Sequence, residues 1–321
     1  MLSLLFCFDE NYNIQSTVTL YSVLENLDFK IKVFIIHKSE SDISFLPNKI
    51  KNHKNIDEIV IKKFENDSIN FYNLNDVHVS EATYYRLFLE DYIPNDEDFL
   101  LYLDGDVVCV NNLTEILNKE IKKLKNSNFI VSSVTEMGEE SKEFIDSLGL
   151  SSYRYFNAGV MLINFSKWKN ENVTKNLLET LNSIKGNITF WDQDVMNKYF
   201  DRNFAELSRN LNTKFTDNKN KNKNIIKDID NNEIKLVHFA GKFKPWQVRD
   251  IVYSSSIYFQ DVYRKLYGKY TFIQFTYRQN ALKQLISYGF FSKYINSKYN
   301  LKLIFSIIKE IIFKRNFINE R

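Results

Sequence analysis

Short apolar runs alternate with helical patterns over the first hundred residues of the chain. Residues 2–8 (LSLLFCF) and 31–37 (IKVFIIH) are nearly continuous apolar runs, as expected of strands that are buried on both faces. Such alternation predicts an α/β fold with a doubly wound, mostly parallel sheet that is flanked by helices. In this part the predicted strands cover residues 2–8, 31–37, 57–63 and 98–103, and the predicted helices cover residues 14–27 and 80–92.

The alternation continues to about residue 250. A chain of 321 residues with 44% hydrophobic residues can bury a sizeable core, so we expect one large α/β domain over residues 1–250 and an appended region over residues 251–321. Residues 208–232 are rich in Asn and Lys, which predicts a solvated loop. The further strands are predicted at 129–134, 158–164 and 234–239, and the further helices at 139–149, 171–185 and 192–200.

Charge and cysteine usage exclude several classes of protein. The formal net charge is only +3, which gives no global argument for a nucleic-acid partner. Cys7 and Cys109 allow one disulfide at most, which favours the cytosol. The apolar start lacks the basic segment and cleavage site of a signal peptide, and no run of about 18 apolar residues suggests a membrane span. We therefore expect a cytoplasmic protein.

The chain after residue 255 has a different composition. This region contains three acidic residues and twelve lysines and arginines. Residues 300–316 have the spacing of a basic amphipathic helix. This region is interpreted as a helical, basic-aromatic extension that packs on the main domain, or as a surface that rests on an anionic membrane. A nucleic-acid surface is the least favoured of the three interpretations.

An acidic pair follows the predicted strand at 98–103. Asp104 and Asp106 are separated by Gly105, and two carboxylates so placed can both reach one hard cation if the chain turns between them. Carboxyl ends of parallel strands form the usual ligand-binding edge of such a sheet. Asp9 and Asn11 follow the first strand and are expected at the same edge. The sequence therefore predicts a metal site there.

Two other kinds of site could use Asp104. An EF-hand loop that begins at Asp104 would place Glu115 correctly, but Val108 and Cys109 replace a ligand and the required glycine, which excludes it. A phosphatase of the haloacid dehalogenase type would use Asp104 as its nucleophile. This alternative stays open, although in such enzymes the aspartate follows the first strand.

A histidine and a basic turn end the predicted strand at 234–239. His238 could complete a carboxylate-rich site for Mn²⁺. Gly241 would let the backbone approach a phosphate, and Lys242 or Lys244 would supply positive charge. Together with the acidic pair, these residues suit a nucleotide diphosphate leaving group, which needs cations to absorb its charge.

Amide and carboxylate side chains occur in two further motifs. Asn157 lies in YFNAGVMLIN, and Asp192 and Gln193 lie in WDQD. Such groups can bind sugar hydroxyls, although each motif alone is weak.

Taken together and in order, these motifs resemble glycosyltransferase family 8. The matching patterns are FxxDxNY near the start, RLxL, DxD, FNAGV, DQD and HxxGxxKPW, and they span residues 1 to about 250. The family includes bacterial lipopolysaccharide galactosyl- and glucosyltransferases and glycogenin. The resemblance implies a GT-A fold, dependence on Mn²⁺ (or Mg²⁺), a UDP-hexose donor and retention of the anomeric configuration.

Individual roles follow from the same resemblance. The metal ligands would be Asp104, Asp106 and His238, and Gln193 with Asp192 would act at the reacting carbon. The family often has a further acid after the strand at 129–134, and here the segment that ends at Glu136 leaves that assignment open. Contacts to the donor would come from Cys7, Asp9, Asn11, Tyr12, Arg86, Asp104, Gly105, Asn157, Ala158, Gly241 and Lys244, with Tyr12 as a stacking platform for the base.

The expected function is the transfer of galactose or glucose from UDP-hexose to a hydroxyl of a glycan acceptor. A bacterial surface glycan such as lipopolysaccharide or lipooligosaccharide is the expected acceptor, which would place the protein in the cytoplasm, at the inner face of the plasma membrane. An inactive module that binds glycans or nucleotide sugars is the alternative that is not an enzyme.

Overall fold

The computed structural model describes residues 1–65, 80–184, 188–215, 219–241, 243–247, 250–251, 253–274, 305 and 309. The chain divides into two compact units. The first consists of Met1–Thr213 and Asn232–Val237, and the second of Lys214–Asn231 and His238–Arg321. The division passes through two short strands, Thr213–Lys214 and Leu236–His238, and leaves the last residue of each, Lys214 and His238, in the second unit.

The strands of the described residues are β1 (Leu2–Phe8), β2 (Ile31–His37), β3 (Ile56–Lys63), β4 (Phe99–Leu103), β5 (Val107–Cys109), β6 (Val131–Met137), β7 (Tyr155–Asn164), β8 (Phe204–Glu206), β9 (Thr213–Lys214) and β10 (Leu236–His238). The α-helices are α1 (Asn13–Leu24), α2 (Asn48–Lys51), α3 (Leu89–Tyr92), α4 (Thr114–Lys125), α5 (Lys142–Ser147), α6 (Phe165–Asn170), α7 (Val173–Ser183), α8 (Trp191–Tyr199), α9 (Lys219–Asp230) and α10 (Ser256–Tyr267). Short 3₁₀ helices cover Glu10–Tyr12, Ile43–Phe45, Glu81–Leu87, Glu139–Ser141 and Arg209–Leu211.

Seven strands form one sheet in the order β3-β2-β1-β4-β7-β6-β8. Four of its neighbouring pairs are parallel, and β7 runs antiparallel to β4 and β6. Chain order reverses between β1 and β4, and ligands bind at such switch points in open α/β sheets. Because β7 is antiparallel, its first residues lie beside the carboxyl end of β4, where Leu103 pairs with Val160. The predicted α/β fold with a mostly parallel sheet is confirmed.

The core explains the continuous apolar runs. Every residue of β4 and of β7 is buried, since helices cover both faces of a parallel sheet. Phe88, Tyr102, Phe156 and Trp168 belong to the same buried cluster. Burial of side chains of this size contributes about 1.5–3 kcal/mol each, so the central strands form a rigid base for the loops that follow them.

The predicted helix at 80–92 is mainly a 3₁₀ helix, Glu81–Leu87, followed by the single turn α3. Ser80 caps it as expected, because its hydroxyl accepts from the backbone N–H of Ala82 at 3.2 Å. The carbonyl of Thr83 accepts from Arg86 Nε at 3.0 Å. An α-helix would offer that carbonyl to the backbone N–H of residue 87, and in this structure the Arg86 side chain bonds to it.

The second unit corrects the loop that was predicted at 208–232. Residues 219–230 of that segment form α9, and its Ile225 and Ile229 are buried four residues apart on one helical face. The many Asn and Lys residues that precede Ile225 in the sequence dilute the apolar signal. Within the same unit, Trp246 packs against Phe259 of α10 with ring centroids 4.8 Å apart.

Two predictions concern the C-terminal region and its boundary. The helix that is predicted at 300–316 lies outside the described residues except for Phe305 and Lys309, both of which are helical. A boundary between domains near residue 250 stays a prediction. Among the helices in the described part of the chain, none has the length and apolar character needed to cross a membrane.

Candidate active site

The loop after β1 carries the residues predicted to bind a nucleotide. Asp9 is buried, and its carboxylate accepts from the backbone N–H of Asn11 at 3.0 Å and from Asn11 Nδ2 at 3.3 Å. This cap starts the 3₁₀ helix Glu10–Tyr12. Cys7, two residues before Asp9, is a partly buried free thiol, and burial raises its pKa. Cys7, Asp9, Asn11 and Tyr12 thus lie at the carboxyl end of β1.

A histidine at the end of β2 supports this loop. His37 Nδ1 accepts from the backbone N–H groups of Ser39 and Glu40 at 3.0 and 2.8 Å. The proton of a neutral ring must therefore sit on Nε2, which donates to Asn13 Oδ1 at 2.8 Å. Burial lowers the pKa of His37, in agreement with a neutral ring. The histidine thereby joins the end of β2 to the first residue of α1.

The acidic turn connects β4 to β5. The Asp104 backbone N–H donates to the Gly159 carbonyl at 2.8 Å, and the Tyr102 hydroxyl donates to Asp104 Oδ1 at 2.7 Å. Gly105 has no left-handed backbone here; its importance is steric. A Cβ at that position would lie 2.4 Å from Ser16 Oγ and 3.2 Å from Tyr12 Cδ1. The turn therefore packs directly against the start of α1.

Asp104 and Asp106 meet the histidine at the end of β10. One ligand atom from each of Asp104, Asp106 and His238 lies within 4.8 Å of the other two. Asp106 and His238 are buried, and Asp104 is partly exposed. Two carboxylates so close repel each other unless a cation lies between them. Carboxylate and imidazole ligands suit divalent ions of the first transition row, so this group fits a divalent metal.

Arg86 joins two of the predicted carboxylates. Its Nη2 lies 3.1 Å from Asp104 Oδ1, and its Nε lies 3.0 Å from Asp192 Oδ2. The guanidinium also stacks on Tyr102, 4.3 Å from the ring centroid, and Nη1 donates to the Ala158 carbonyl at 2.7 Å. Burial alone would lower the pKa of Arg86, but the two carboxylates outweigh it, so the side chain stays charged. In this structure the Arg86 guanidinium forms ion pairs with two carboxylates of the protein itself, those of Asp104 and Asp192.

Asp192 lies in the first turn of α8 and is 2% exposed. The Thr83 hydroxyl donates to its Oδ1. Burial raises the pKa of Asp192 to about 6, because the loss of water outweighs the nearby charge of Arg86. The carboxyl group is thus poised between its neutral and ionised forms near neutral pH.

Gln193 and Asn157 bond directly to each other. Gln193 Oε1 accepts from the Ala158 backbone N–H at 2.9 Å and from Asn157 Nδ2 at 3.2 Å. Asn157 Nδ2 donates as well to Glu136 Oε2 at 2.9 Å. Glu136 is exposed and lies in the segment after residue 134 whose role the sequence left open. An acid is therefore present beside the amides.

Gly241 and Lys244 belong to the second unit. Gly241 adopts φ +70°, a left-handed conformation that glycine allows and most residues do not. Lys244 Nζ donates to the Phe239 carbonyl at 2.9 Å and lies 5.9 Å from the centre of the Trp246 ring. The HxxGxxKPW segment is thus a defined turn.

A comparison with protein families decides the identity. The sequence profile described as "Glycosyl transferase family 8" matches residues 3–249. The chain belongs to glycosyl transferase family 8. It is therefore a glycosyltransferase by family, and the haloacid dehalogenase alternative is not favoured.

Curated relatives of this family 8 chain come from bacteria. A "Lipopolysaccharide 1,2-glucosyltransferase" of Escherichia coli is 29% identical over 265 residues, which cover 79% of this chain and 76% of the relative. A "Lipopolysaccharide 1,3-galactosyltransferase" of Salmonella typhimurium is 31% identical over 167 residues, which cover 51% of this chain and 49% of the relative. The two names differ in the sugar and in the linkage.

Solved structures show the same fold. Galactosyltransferase LgtC, crystallised with donor and acceptor sugar analogs, is 23% identical to this family 8 chain, with a TM-score of 0.64 over 83% of this chain and 96% of LgtC. An active-site mutant of LgtC has a TM-score of 0.66 at 24% identity over the same shares. The predicted GT-A fold of the family 8 chain is confirmed.

Several residues of the family 8 site were assigned no role from the sequence. Tyr102 and Thr83 hold the predicted carboxylates, and Tyr155 and Asp194 surround Gln193. Tyr155 and Asp194 lie inside the YFNAG and WDQD motifs, so the motifs themselves were the available signal. Thr83 and Tyr102 carried no signal, since only the fold brings them to Asp192 and Asp104.

Proposed function

We propose that this family 8 glycosyltransferase moves a hexose, galactose or glucose, from a UDP-hexose to a glycan hydroxyl, with a divalent cation and with retention of configuration. The group formed by Asp104, Asp106 and His238 is the observation that carries the proposal. The relatives' names support a bacterial surface glycan such as lipopolysaccharide as the acceptor. Mn²⁺ is the proposed ion, and Mg²⁺ is its substitute.

The residues around the metal group have defined tasks in this proposal. A divalent ion held by Asp104, Asp106 and His238 would absorb negative charge of the diphosphate. Tyr102 and Arg86 orient Asp104 through hydrogen bonding and charge, so that its carboxylate does not have to be ordered when the donor binds. From the family resemblance, Gly241 and Lys244 are proposed as contacts of the diphosphate.

The remaining donor contacts are proposed from the same resemblance. Cys7, Asp9, Asn11 and Tyr12 would bind the uridine. Ala158, together with Asn157 and Gln193, would lie beside the hexose, where the hydrogen-bonded pair of amides already exists.

The proposed reaction needs no strong nucleophile from the protein. The acceptor oxygen forms a bond to the anomeric carbon on the face that UDP leaves, the bond to the phosphate oxygen breaks, and the hydroxyl proton passes to that oxygen. Positioning and electrostatic stabilisation supply most of the acceleration. A covalent route through Asp192 is less favoured, because this carboxyl is buried and is already bonded by Thr83.

Release of UDP from a panel of UDP-sugars tests the proposal. With Mn²⁺ and without acceptor, we expect slow hydrolysis of one UDP-hexose, and we expect EDTA to abolish it. Asp106→Ala should reduce the rate at least a hundredfold, since removal of a charge-stabilising group costs about 10²–10³ in rate. Asp57→Ala, which removes an exposed carboxylate of β3, is the matched control and should equal the wild type.

Either of two results would contradict the proposal. One is that no UDP-sugar is turned over and that UDP binds equally well with and without Mn²⁺. In that case an inactive binding module becomes the better interpretation. The other is equal activity of Asp106→Ala and Asp57→Ala.

A further inference from the structure

The side chain of Gln193 belongs to a directed chain of hydrogen bonds. Gln193 Nε2 lies 3.2 Å from the Tyr155 hydroxyl, and this hydroxyl lies 2.5 Å from Asp194 Oδ1. Asp194 Oδ2 accepts from the backbone N–H groups of Thr189 and Phe190 at 2.6 and 2.7 Å. Asp194 is fully buried, so these contacts replace water entirely.

The chemistry of the donors sets the direction of this chain. The backbone N–H of Ala158 can only donate, so the Gln193 atom that it contacts at 2.9 Å must be the carbonyl oxygen. The other terminal atom is then the NH₂ group, which donates to the Tyr155 oxygen. The Tyr155 proton is therefore directed to Asp194, and burial raises the pKa of the Tyr155 hydroxyl, which keeps that proton in place.

The direction of these hydrogen bonds determines which groups of the Gln193 amide can still bond to a ligand. Ala158 and Asn157 occupy both acceptor positions of its carbonyl oxygen. Its NH₂ group has two hydrogens, and the bond to Tyr155 uses one of them. Among the described residues, no partner takes the second N–H of the Gln193 amide, so the amide still has one hydrogen-bond donor.

Asp194 also holds a strained turn at the start of α8. Trp191 has φ 49°, a left-handed conformation that is rare for a bulky residue and costs on the order of 1–3 kcal/mol. The two N–H groups that Asp194 binds belong to the two residues just before Trp191. One carboxylate thus fixes both the turn that presents Gln193 and the tyrosine that orients its amide.

We propose that Tyr155 and Asp194 are positioning residues that orient the Gln193 amide, so that its free N–H, and not its carbonyl oxygen, binds an oxygen of the glycosyl donor. This inference rests on the proposed function and deepens it. It names the group that contacts the donor and the two side chains that aim it.

A double-mutant cycle tests the positioning role of Tyr155. Tyr155→Phe should lower kcat of UDP-hexose hydrolysis about tenfold, which corresponds to the loss of about one hydrogen bond. KM and the affinity for UDP with Mn²⁺, measured by calorimetry, should stay within about twofold. In a Gln193→Ala background, Tyr155→Phe should have no further effect, because the group that it positions is gone.

The matched control is Tyr199→Phe. Tyr199 lies on α8, as Gln193 does, and among the described residues its hydroxyl accepts only from Asn176 Nδ2, at 3.2 Å. Removal of that hydroxyl should leave kcat unchanged. Equal losses for Tyr155→Phe and Tyr199→Phe would show that loosening of α8, and not the amide, is responsible.

Gln193→Glu tests the donor role without any change to Tyr155. Glutamate keeps the oxygen that accepts from Ala158 and exchanges the NH₂ group for a second oxygen. We expect it to be no more active than Gln193→Ala. A glutamate variant that keeps more activity than the alanine variant would show that the carbonyl oxygen is the working group and would overturn the inference.

Failure of the inference and failure of the proposed function can be told apart. An active wild type in which the effects of Tyr155→Phe and Gln193→Ala multiply contradicts only the inference. A wild type that turns over no UDP-hexose contradicts the proposed function, and the inference falls with it.

Discussion

At the scale of single residues, the site depends on buried charged side chains that form ion pairs with one another. Arg86 is 5% exposed and is paired with Asp104 and Asp192. Removal of one partner of a buried ion pair leaves an uncompensated charge, which typically costs 3–5 kcal/mol. Asp104, which follows β4, and Asp192 of α8 are therefore coupled through one guanidinium, and neither can be changed without an effect on the other.

The raised pKa of Asp192 predicts a pH dependence of stability. Asp192 titrates at about 6 in the folded protein, whereas an unfolded chain has an ordinary value near 3.9. Between these two values the folded state binds a proton that the unfolded state has lost. Protonation of Asp192 therefore raises the free energy of unfolding by its full amount below about pH 4. This contribution is lost as the pH rises through 6.

Asp192→Asn cannot titrate, so its unfolding free energy should fall less between pH 4 and pH 6.5 than that of the wild type. The difference should be on the order of 2–3 kcal/mol, at roughly 1.4 kcal/mol per pKa unit. Urea unfolding in EDTA at several pH values measures it, with Asp57→Asn as an exposed control. Parallel curves for wild type and Asp192→Asn would contradict the raised pKa.

At the scale of elements, α1 is more deeply enclosed than its sequence indicates. The spacing of Ile14, Val18, Tyr21 and Leu24 predicts one apolar face, yet every residue from Gln15 to Leu24 is buried. Its hydroxyl side chains make this possible. The Ser22 hydroxyl, for example, donates to the Thr19 carbonyl and accepts from the Cys109 backbone N–H at 2.9 Å. The helix thereby links the loop after β1 to β5, next to the acidic turn.

Gly105→Ala tests the contact between the acidic turn and α1. Its Cβ would lie 2.4 Å from Ser16 Oγ, so either the turn or the helix must move. We expect a loss of about 1–3 kcal/mol, which is typical of overpacking, and weaker binding of UDP with Mn²⁺. The second substitution Ser16→Ala removes the clashing oxygen and should restore most of both losses. Thermal unfolding and calorimetry measure them, and a double variant as defective as Gly105→Ala would contradict the steric explanation.

At the scale of the whole molecule, charge distribution separates the two ends of the chain. The formal net charge is +3, although the residues after 255 contain twelve basic and three acidic side chains. The rest of the chain therefore carries a net negative charge. We propose that the region after residue 251 rests on an anionic membrane at the inner face of the plasma membrane, because the negative surface potential of such a membrane attracts basic side chains.

Charge reversal tests this membrane contact better than truncation, because Phe259 of α10 packs on Trp246 and a truncation near residue 255 would expose that tryptophan. Glutamate in place of Lys302, Lys309, Lys314 and Arg315 should weaken binding to vesicles with anionic lipid at least tenfold, at about 1 kcal/mol per charge. The control carries the same change at four exposed lysines of the main domain, Lys30, Lys54, Lys62 and Lys122. Equal binding of both variants in a sedimentation assay would contradict the proposal.

Much of the fold could be predicted because the central strands are buried on both faces. The runs at 2–8 and 31–37 coincide with β1 and β2, since strands buried on both faces have nearly continuous apolar sequences. Segments whose structure depends on a few contacts were predicted poorly. The Asn and Lys residues of α9 conceal its apolar face, and Glu81–Leu87 forms a 3₁₀ helix where the apolar spacing predicts an ordinary helix.

By itself, the sequence determined the class of fold, the family and the residue types of the site, because apolar patterning and ordered motifs are local properties. Only the tertiary structure decided what those residues do to one another. It pairs Arg86 with two carboxylates and places His238 beside Asp104 and Asp106. It also directs Gln193 through Tyr155 to Asp194. Hydrogen-bond direction and charge pairing depend on distances of about 3 Å between residues far apart in the chain, and a linear pattern contains no such distances.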